Sequence, residues 1–486
     1  MLNFLIIVGK CTAFISRQFN FGNGSTWPGH VALSINKNFI RDILRKNYSS
    51  NDVRSSRFAR IVGGLKIILI AGTNGKTTTG KLIQTVLTHS GKKVFQNEAG
   101  ANLLNGIASS IVLHSSVLCE VNYDFAIFEV DENTLPLALK EIEPDYLILL
   151  NLFRDQLDRY GEVNTIANKW QKALEKLTPK TSLILNSDDP QISYLGFGLS
   201  SRRNKVTERS HGIPHFVRND RMSYSRQARK VLYFGLNDQK FAQKNPQHAS
   251  DSTYCPNCGS KLSYSKVYYS HLGDWECNNC HNRRPRIIFS NPSSSSLVGI
   301  YNKYNVLAAV LLAKQVDIEQ KTIDFALRKF SPAFGRQEML NVDGKKIQIF
   351  LSKNPTGFNE SLRTVKSLGG KNILLVLNDR IPDGRDVSWI WDVDFEDYVD
   401  DFKNIIISGD RCYDMGLRVK YASEFSIFNF QFSMKNSNFK FQIEEDLKNA
   451  ISLSLDYLPK SETLYILPTY SAMLEVRKIL TGKKIL

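Results

Sequence analysis

The sequence predicts an α/β protein with a parallel central sheet, a second α/β unit after it and a small cysteine-rich insertion. From residue 65 onwards, short apolar runs alternate with helical patterns, which is typical of parallel strands joined by crossover helices. The same alternation starts again after Arg336. Between these two stretches, two C-x-x-C pairs at 255–280 have a spacing that suits a metal-bound insertion.

The length and composition indicate a soluble enzyme with several domains. A chain of 486 residues is too long for one ordinary core, so two or three domains are expected. The net charge of +16 favours polyanionic partners such as nucleotides, phosphorylated substrates, nucleic acid or an anionic membrane. No apolar run is long enough to span a bilayer, and the apolar start lacks the features of a signal peptide. A cytoplasmic location is therefore expected.

We divide the chain into a short N-terminal segment at 1–60, a central domain at 61–331 and a C-terminal domain at 332–486, with a ribbon inserted at 250–290. A basic, polar run at 47–60 is interpreted as a linker, and the Arg-rich stretch at 201–230 as an exposed insertion. Buried strands are predicted at 66–71, 125–130, 146–150, 182–185, 347–351, 373–377, 404–408 and 464–467. Helices are predicted at 76–89 and 302–316.

A glycine-containing loop joins the first predicted strand to the first predicted helix of the central domain, and it reads Gly72-Thr73-Asn74-Gly75-Lys76-Thr77. Glycines let backbone amides converge on phosphate oxygens, and the start of a helix adds partial positive charge. We expect Lys76 to reach the β- and γ-phosphates of ATP and Thr77 to contact Mg²⁺. Ile70 stands where the strict phosphate-loop motif has glycine, so the generic motif is matched imperfectly.

Carboxylates follow at the end of the next predicted strand, in the segment that runs from Phe125 to Glu132. Hard oxygen ligands at the carboxyl end of a strand suit Mg²⁺ beside a bound triphosphate. Glu129 is the first candidate for this ligand. The alternative, surface acids that merely end a strand, is weakened by the phosphate loop upstream.

The cysteine pairs are Cys255 with Cys258 and Cys277 with Cys280. Each C-x-x-C pair can hold one face of a tetrahedral Zn²⁺ ion, and a hairpin between the pairs would bring them together. Four thiolates leave no position for water, so we expect a structural ion. An iron–sulfur cluster and a redox role are the alternatives.

Three motifs together resemble the Mur ligase family. The loop at 72–77 has that family's form, and residues 299–309 resemble its G-x-x-N-x-x-N-x-x-A-A helix. In that helix an asparagine, here Asn302, contacts the adenine. The segment 334–338 resembles the family's G-R-x-E motif, whose arginine, here Arg336, approaches the nucleotide phosphates. The resemblance implies a Mur ligase-type central ATPase domain that uses ATP and Mg²⁺.

Departures from the family pattern resemble one branch of it, the ligase subunit of lipid II isoglutaminyl synthase. Gln156 stands where a metal-binding histidine is usual, which leaves a second Mg²⁺ site open. Lys353 lies in a segment that replaces another histidine-containing motif, and it is a candidate to supply a cation there. The cysteine module and the segment 383–392 complete this resemblance.

The resemblance also implies a reaction and a partner. ATP would phosphorylate the α-carboxyl of D-glutamate in the lipid II stem peptide, and ammonia would replace the phosphate to give D-isoglutamine. A GatD-type glutamine amidotransferase subunit would supply the ammonia at the cytoplasmic face of the membrane. An aspartate of this chain would complete the partner's Cys–His pair. Asp383 is the first candidate and Asp386 the second.

Two other functions remain as alternatives. An amino-acid-adding Mur or folylpolyglutamate-type ligase needs a substrate-binding N-terminal domain, and about sixty residues are too few for a UDP-binding one. A zinc-ribbon nucleic-acid ATPase would suit the charge and the cysteines, but the basic run lacks interleaved aromatic residues for base stacking. We therefore expect no nucleic-acid partner.

Overall fold

The computed structural model describes residues 1–18, 26–48, 64–97, 100–155, 163–200, 229–243, 247, 250–291, 295–332, 335–425 and 441–482. Gln156 and nearly all of the basic insertion at 201–230 lie outside these residues. No helix within the described ranges is long and apolar enough to cross a membrane.

The chain begins with three helices, Leu2–Gln18, Trp27–Ile35 and Phe39–Tyr48. The second helix packs closely on the helix Leu104–His114, because a Cβ atom at Gly29 would lie 1.9 Å from the carbonyl oxygen of Asn105. The third helix ends inside the run that was predicted as a linker. The described part of the N-terminal segment is therefore largely helical, and its second helix rests on the central domain.

The central domain is built on a six-stranded parallel sheet with the order β2-β3-β1-β4-β5-β6. Its strands are β1 (Lys66–Ala71), β2 (Val94–Gln96), β3 (Phe125–Val130), β4 (Tyr146–Leu149), β5 (Ser182–Asn186) and β6 (Val231–Phe234). Its helices are Lys76–His89, Leu104–His114, Leu135–Glu141, Val163–Leu174, Pro190–Ser200, Ile300–Gln315 and Gln320–Arg328. Apolar side chains are buried on both faces of the sheet, as a doubly wound fold requires. The predicted parallel α/β fold is confirmed.

A two-stranded antiparallel hairpin carries the cysteine pairs, and it consists of β7 (Leu262–Tyr269) and β8 (Leu272–Cys277). Trp275 is 1% exposed and fills the small core of this hairpin. Its indole Nε1 donates to the carbonyl oxygen of Ser187 over 3.0 Å, which fixes the hairpin to the end of β5.

The C-terminal unit has its own six-stranded sheet, in the order β13-β12-β11-β14-β10-β9. The strands are β9 (Arg336–Val342), β10 (Lys345–Phe350), β11 (Asn372–Val376), β12 (Asn404–Ser408), β13 (Phe441–Ile443) and β14 (Thr463–Pro468). Only β9 among these runs antiparallel to its neighbour. The helices are Pro355–Ser367, Cys412–Phe425, Leu447–Asp456 and Tyr470–Thr481, and short 3₁₀ turns occupy 388–401.

Candidate active site

The loop after β1 depends on two glycines. The φ angles of Gly72 and Gly75 are +145° and +93°, values that side-chain-bearing residues rarely adopt. A Cβ atom at Gly72 would lie 2.9 Å from that of Leu150, and one at Gly75 would lie 2.1 Å from Oδ1 of Asn305. Both positions therefore require glycine, for conformation and for space.

Asn151, the residue after Leu150 at the end of β4, holds this loop in place. Its Oδ1 accepts from the backbone N–H of Asn74 over 2.8 Å, and its Nδ2 donates to the Asn74 carbonyl over 3.0 Å. Its own carbonyl accepts from the N–H of Thr73 over 3.0 Å. Sequence reasoning did not select Asn151 as a site residue, although its position at the carboxyl end of a buried strand is a usable signal.

The basic and hydroxyl groups of the loop meet carboxylates from the end of β3. Strand pairing sets Ile70 opposite Glu129, so the carboxylate of Glu129 reaches the start of the next helix. The hydroxyl of Thr77 donates to Glu129 over 2.5 Å. The ammonium of Lys76 donates to the Gly72 carbonyl and lies 3.2 Å from a carboxylate oxygen of Glu132. The structure thus brings the predicted Lys76, Thr77 and Glu129 together.

Glu132 is not among the residues predicted from the sequence, although it ends the segment Phe125 to Glu132 in which Glu129 is predicted. It is 3% exposed, and its carboxylate balances the buried charge of Lys76. A buried ammonium is stable only when it is paired in this way. Glu132 therefore belongs to the same polar cluster as the phosphate loop.

The asparagines of the helix Ile300–Gln315 approach the loop from the other side. Asn305 Oδ1 accepts from the Thr79 hydroxyl over 3.3 Å. Asn305 Nδ2 donates to Oδ1 of Asn302 over 3.1 Å, and Asn302 Nδ2 donates to the carbonyl of Val298 over 2.7 Å. Asn305 is thus the nearer of the two to the phosphate loop, while the adenine contact of Asn302 stays a prediction.

The C-terminal unit contributes cations to the same cleft. Arg336 lies at the start of β9, and burial of its guanidinium lowers its pKa while the nearby carboxylate of Glu129 opposes that shift. The ammonium of Lys353 pairs with the carboxylate of Asp155, which follows β4. Burial lowers the pKa of Lys353, but Asp155 and Glu132 more than offset this, so the net shift is upward and the side chain stays charged.

A side-chain contact also joins the two units directly at the loop. Asn354 Nδ2 donates to Oδ1 of Asn74 over 3.2 Å, and Asn354 also begins the helix Pro355–Ser367 by accepting from the N–H of Gly357 over 2.8 Å. The start of that helix is therefore tied to the phosphate loop. The cleft is lined by both sheets, with acids mainly from the first and cations from both.

The four cysteines lie together at one end of the hairpin. Their sulfur atoms are all within 4.8 Å of one another, with Cys255 and Cys280 3.6 Å apart and Cys258 and Cys277 3.5 Å apart. A tetrahedral ion with Zn–S bonds of about 2.3 Å would place its sulfur ligands about 3.8 Å apart. The positions of the thiols therefore fit such an ion.

Both cysteine knuckles share one backbone form. The N–H of Gly259 donates to the carbonyl of Cys255, and the N–H of His281 donates to that of Cys277, each over 2.9 Å. The φ angles of Gly259 and His281 are +74° and +56°. His281 therefore shapes the second turn through its backbone.

Hydrogen bonds from Ser260 lower the pKa of the Cys258 thiol to about 6, which favours a thiolate.

The two candidate aspartates of the C-terminal unit occupy different environments. Asp383 is 4% exposed and accepts from the backbone N–H of Ser471 over 2.8 Å and from the Ser471 hydroxyl. Burial raises its pKa, against these hydrogen bonds. Asp386 is exposed, accepts from the N–H of Ser388 over 2.8 Å, and has a pKa lowered by hydrogen bonds from Ser388. Asp383 therefore anchors the helix Tyr470–Thr481, while Asp386 faces outward.

Comparisons with known proteins identify the two main domains of this chain. The Mur ligase middle domain matches residues 70–313, half of the chain, and the MurT ligase C-terminal domain matches residues 351–473. A relative from Staphylococcus aureus (strain COL) is 29% identical over 93% of this chain and 91% of its own length. Another, from Streptococcus pneumoniae (strain ATCC BAA-255 / R6), is 29% identical over 99% and 97%. Both are named lipid II isoglutaminyl synthase (glutamine-hydrolyzing) subunit MurT.

Among solved structures, a pseudomurein peptide ligase type C from Methanothermus fervidus shares the fold, with a TM-score of 0.58 and 21% identity over 86% of this chain and 78% of that one. The fold, the phosphate loop and the domain matches all lead to one assignment. This chain belongs to the Mur ligase family and carries the C-terminal domain of the MurT branch.

Proposed function

We propose that this chain is the ATP-dependent ligase subunit that amidates the α-carboxyl of D-glutamate in the lipid II stem peptide. The observation that supports this most directly is the convergence of both units on one cleft. The phosphate loop with Lys76 lies there beside Glu129, and Arg336 of the second sheet lies close to the same carboxylate. Such a cleft can hold a phosphoryl donor against one unit and its acceptor against the other.

In the first step a carboxylate oxygen of the substrate attacks the γ-phosphorus of ATP, the bond to the β-phosphate oxygen breaks, and ADP leaves. Lys76 and Arg336 offset the charge that develops on the phosphoryl oxygens. Thr77 and Glu129 are the residues that would hold Mg²⁺, which supplies further charge neutralisation when bound. Lys353 would orient the negatively charged substrate, and its pairing with Asp155 supports this by keeping the ammonium charged.

In the second step the nitrogen of ammonia attacks the acyl carbon, phosphate leaves, and one proton is lost to give the amide. Ammonia is a nucleophile only when it is unprotonated, so delivery from a docked partner has a chemical advantage over uptake from water. A GatD-type glutaminase is the partner that this reaction calls for. The word "subunit" in the names of both MurT relatives supports a complex.

The aspartate that would orient the partner's histidine must reach across an interface. Asp386 is exposed, whereas both carboxylate oxygens of Asp383 are engaged by Ser471. Of the two candidates, this favours Asp386 for contact with a partner, and it gives Asp383 the role of holding the loop that presents Asp386. The four cysteines would hold a structural Zn²⁺ ion, since their arrangement leaves no position for water.

The test separates the ATP chemistry from glutamine hydrolysis by supplying ammonium directly. With lipid II, ATP and ammonium, Lys76→Ala should lower amide formation at least about a hundredfold, because it removes a charged donor from the transferring phosphate. Amide formation is followed by mass spectrometry and ADP release by a coupled assay. The exposed Lys92 on the same unit provides the matched control, and Lys92→Ala should retain normal turnover. Near-normal amidation by Lys76→Ala would contradict the proposed function of the loop.

A further inference from the structure

The first helix, Leu2–Gln18, has apolar side chains on two opposite faces. Leu5, Ile6 and Ala13 are buried against the rest of the protein. The other face exposes four large side chains over three turns: Phe4 (61% exposed), Ile7 (47%), Phe14 (69%) and Ile15 (52%). At 3.6 residues per turn these four fall within an arc of about 100°. They therefore form one continuous stripe, which we call the outer face.

Single exposed apolar residues are ordinary, but a continuous stripe is not. A surface helix normally turns polar residues to solvent, and a helix that is apolar all round is normally enclosed. Here the inner face is enclosed and the outer face is accessible among the residues that the structure describes. The outer face thus has the properties of a surface that is covered by another apolar surface or by the apolar part of a membrane.

The charge around this helix indicates which of the two it is. Residues 1–48 contain six lysines and arginines and a single acidic residue, Asp42. The first helix itself contains no acidic residue, and Lys10 lies at the flank of the outer face. An apolar stripe with a lysine at its flank, in a segment of basic charge, is the pattern of helices that lie in the interface of an anionic membrane. Lysine stems can extend along such a surface and place the ammonium among phosphates.

We propose that the outer face docks on an anionic phospholipid bilayer, with Phe4, Ile7 and Phe14 inserted at the boundary of headgroups and acyl chains. This inference deepens the proposed function, since it rests on a substrate that is held in the membrane by its lipid. A second copy of the chain fits the outer face less well, because a symmetric contact would bring two basic segments against each other.

Vesicle binding of the full chain tests the inference without any enzymatic readout. Wild-type protein should co-sediment with vesicles of phosphatidylcholine and phosphatidylglycerol, and less with phosphatidylcholine alone. The combined variant Phe4→Gln, Ile7→Gln, Phe14→Gln should lower the partition coefficient at least about tenfold, because burial of those side chains drives the insertion. Glutamine is a good helix former, and circular dichroism verifies that the fold is kept.

A matched control removes three apolar side chains of similar exposure elsewhere: Ile288, Met339 and Tyr457, at 56%, 54% and 53%. Their replacement by glutamine should leave binding within about twofold of wild type, since they lie outside the outer face. Absence of wild-type binding to anionic vesicles, or binding by the outer-face variant within that range, overturns the inference. So does a wild-type dimer in sedimentation velocity that the outer-face variant abolishes, because a second copy would then be the occupant.

Amidation of lipid II in detergent micelles distinguishes this inference from the proposed function. Micelles present the substrate without a bilayer, so the outer-face variant should amidate there as wild type does. Normal micelle activity without vesicle binding overturns the docking alone. Failure of wild type to amidate in micelles contradicts the proposed function, whatever the vesicles show.

Discussion

A buried carboxyl between the two units, that of Glu360, should make the stability of this protein fall as the pH rises towards neutrality. Glu360 lies on the helix Pro355–Ser367 and is 1% exposed. One of its oxygens accepts from Nε2 of Gln247 over 3.2 Å and from Arg363 over 3.4 Å. The other oxygen is buried and has no hydrogen-bond partner among the residues that the structure describes. This carboxyl also interacts electrostatically with the phenols of Tyr269, Tyr301 and Tyr398.

This environment raises the pKa of Glu360 from 4.5 to about 7, because burial outweighs the opposing effect of Arg363. The difference corresponds to about 3 kcal/mol. Between these two values the folded protein binds more protons than the unfolded chain, so the free energy of unfolding decreases as the pH rises. The cost of ionisation is absent below the unfolded pKa and fully present above about pH 7.

Replacement by glutamine keeps the shape of the side chain and imitates the protonated carboxyl. Glu360→Gln should therefore gain stability relative to wild type by about 2 to 3 kcal/mol between about pH 5 and pH 8. Urea unfolding followed by tryptophan fluorescence is suited to this, because Trp389 packs on Phe358 of the same helix, with ring centroids 6.1 Å apart. Taking the difference between the two free energies of unfolding at each pH cancels the contributions of the titratable groups that the two proteins share.

The exposed Glu120 supplies the control for the substitution itself, and Glu120→Gln should leave the free energy of unfolding close to that of wild type. A difference between Glu360→Gln and wild type that does not change with pH would refute the reasoning, since it would place the pKa of Glu360 near that of an ordinary glutamate. A difference that decreases with rising pH would do so as well.

Two further predictions concern the cysteines and the aspartates. Purified protein should hold about one zinc per chain. Replacement of Cys255 and Cys258 by serine should lower the free energy of unfolding by several kcal/mol, while the protein that remains folded keeps its ammonium-dependent turnover. Metal analysis that finds no zinc, or an iron–sulfur chromophore, would contradict this. Asp386→Asn should lose glutamine-dependent amidation by orders of magnitude yet keep ammonium-dependent amidation, whereas Asp383→Asn should chiefly lower the melting temperature; the reverse pattern would assign the partner contact to Asp383.

The sequence alone predicts the bounds of those strands and helices whose apolar side chains are buried. The strand Phe125–Val130 and the helix Lys76–His89 have the predicted bounds, because a parallel strand buried on both faces needs an unbroken apolar run. The phosphate loop was equally predictable. The positive φ angles of Gly72 and Gly75 are a local requirement of the turn and follow from the motif, whereas the close approach of Leu150 and Asn305 to these glycines depends on distant segments.

Contacts between distant segments were not predictable in the same way. Asp383 is the first candidate for the partner contact from the sequence, but its carboxylate accepts hydrogen bonds from Ser471, 88 residues further along the chain. The network around Glu360 depends on Gln247, which belongs to the other unit. Periodicity reports which face of an element is buried, and it does not report which polar group meets another across two sheets.

The division of the site between two sheets explains why each motif alone was a weak signal. The central sheet provides the loop, Glu129 and Glu132, an arrangement that serves many reactions of nucleotides. The roles proposed for Arg336 and Lys353 depend on their position at the same cleft, to which the C-terminal unit contributes them. In the proposed reaction a second set of cations would favour carboxylate activation, since the acceptor is itself an anion and must approach a triphosphate. The feature that favours a ligase over a simple nucleotide hydrolase is therefore the pairing of the two units, which no single segment of the sequence encodes.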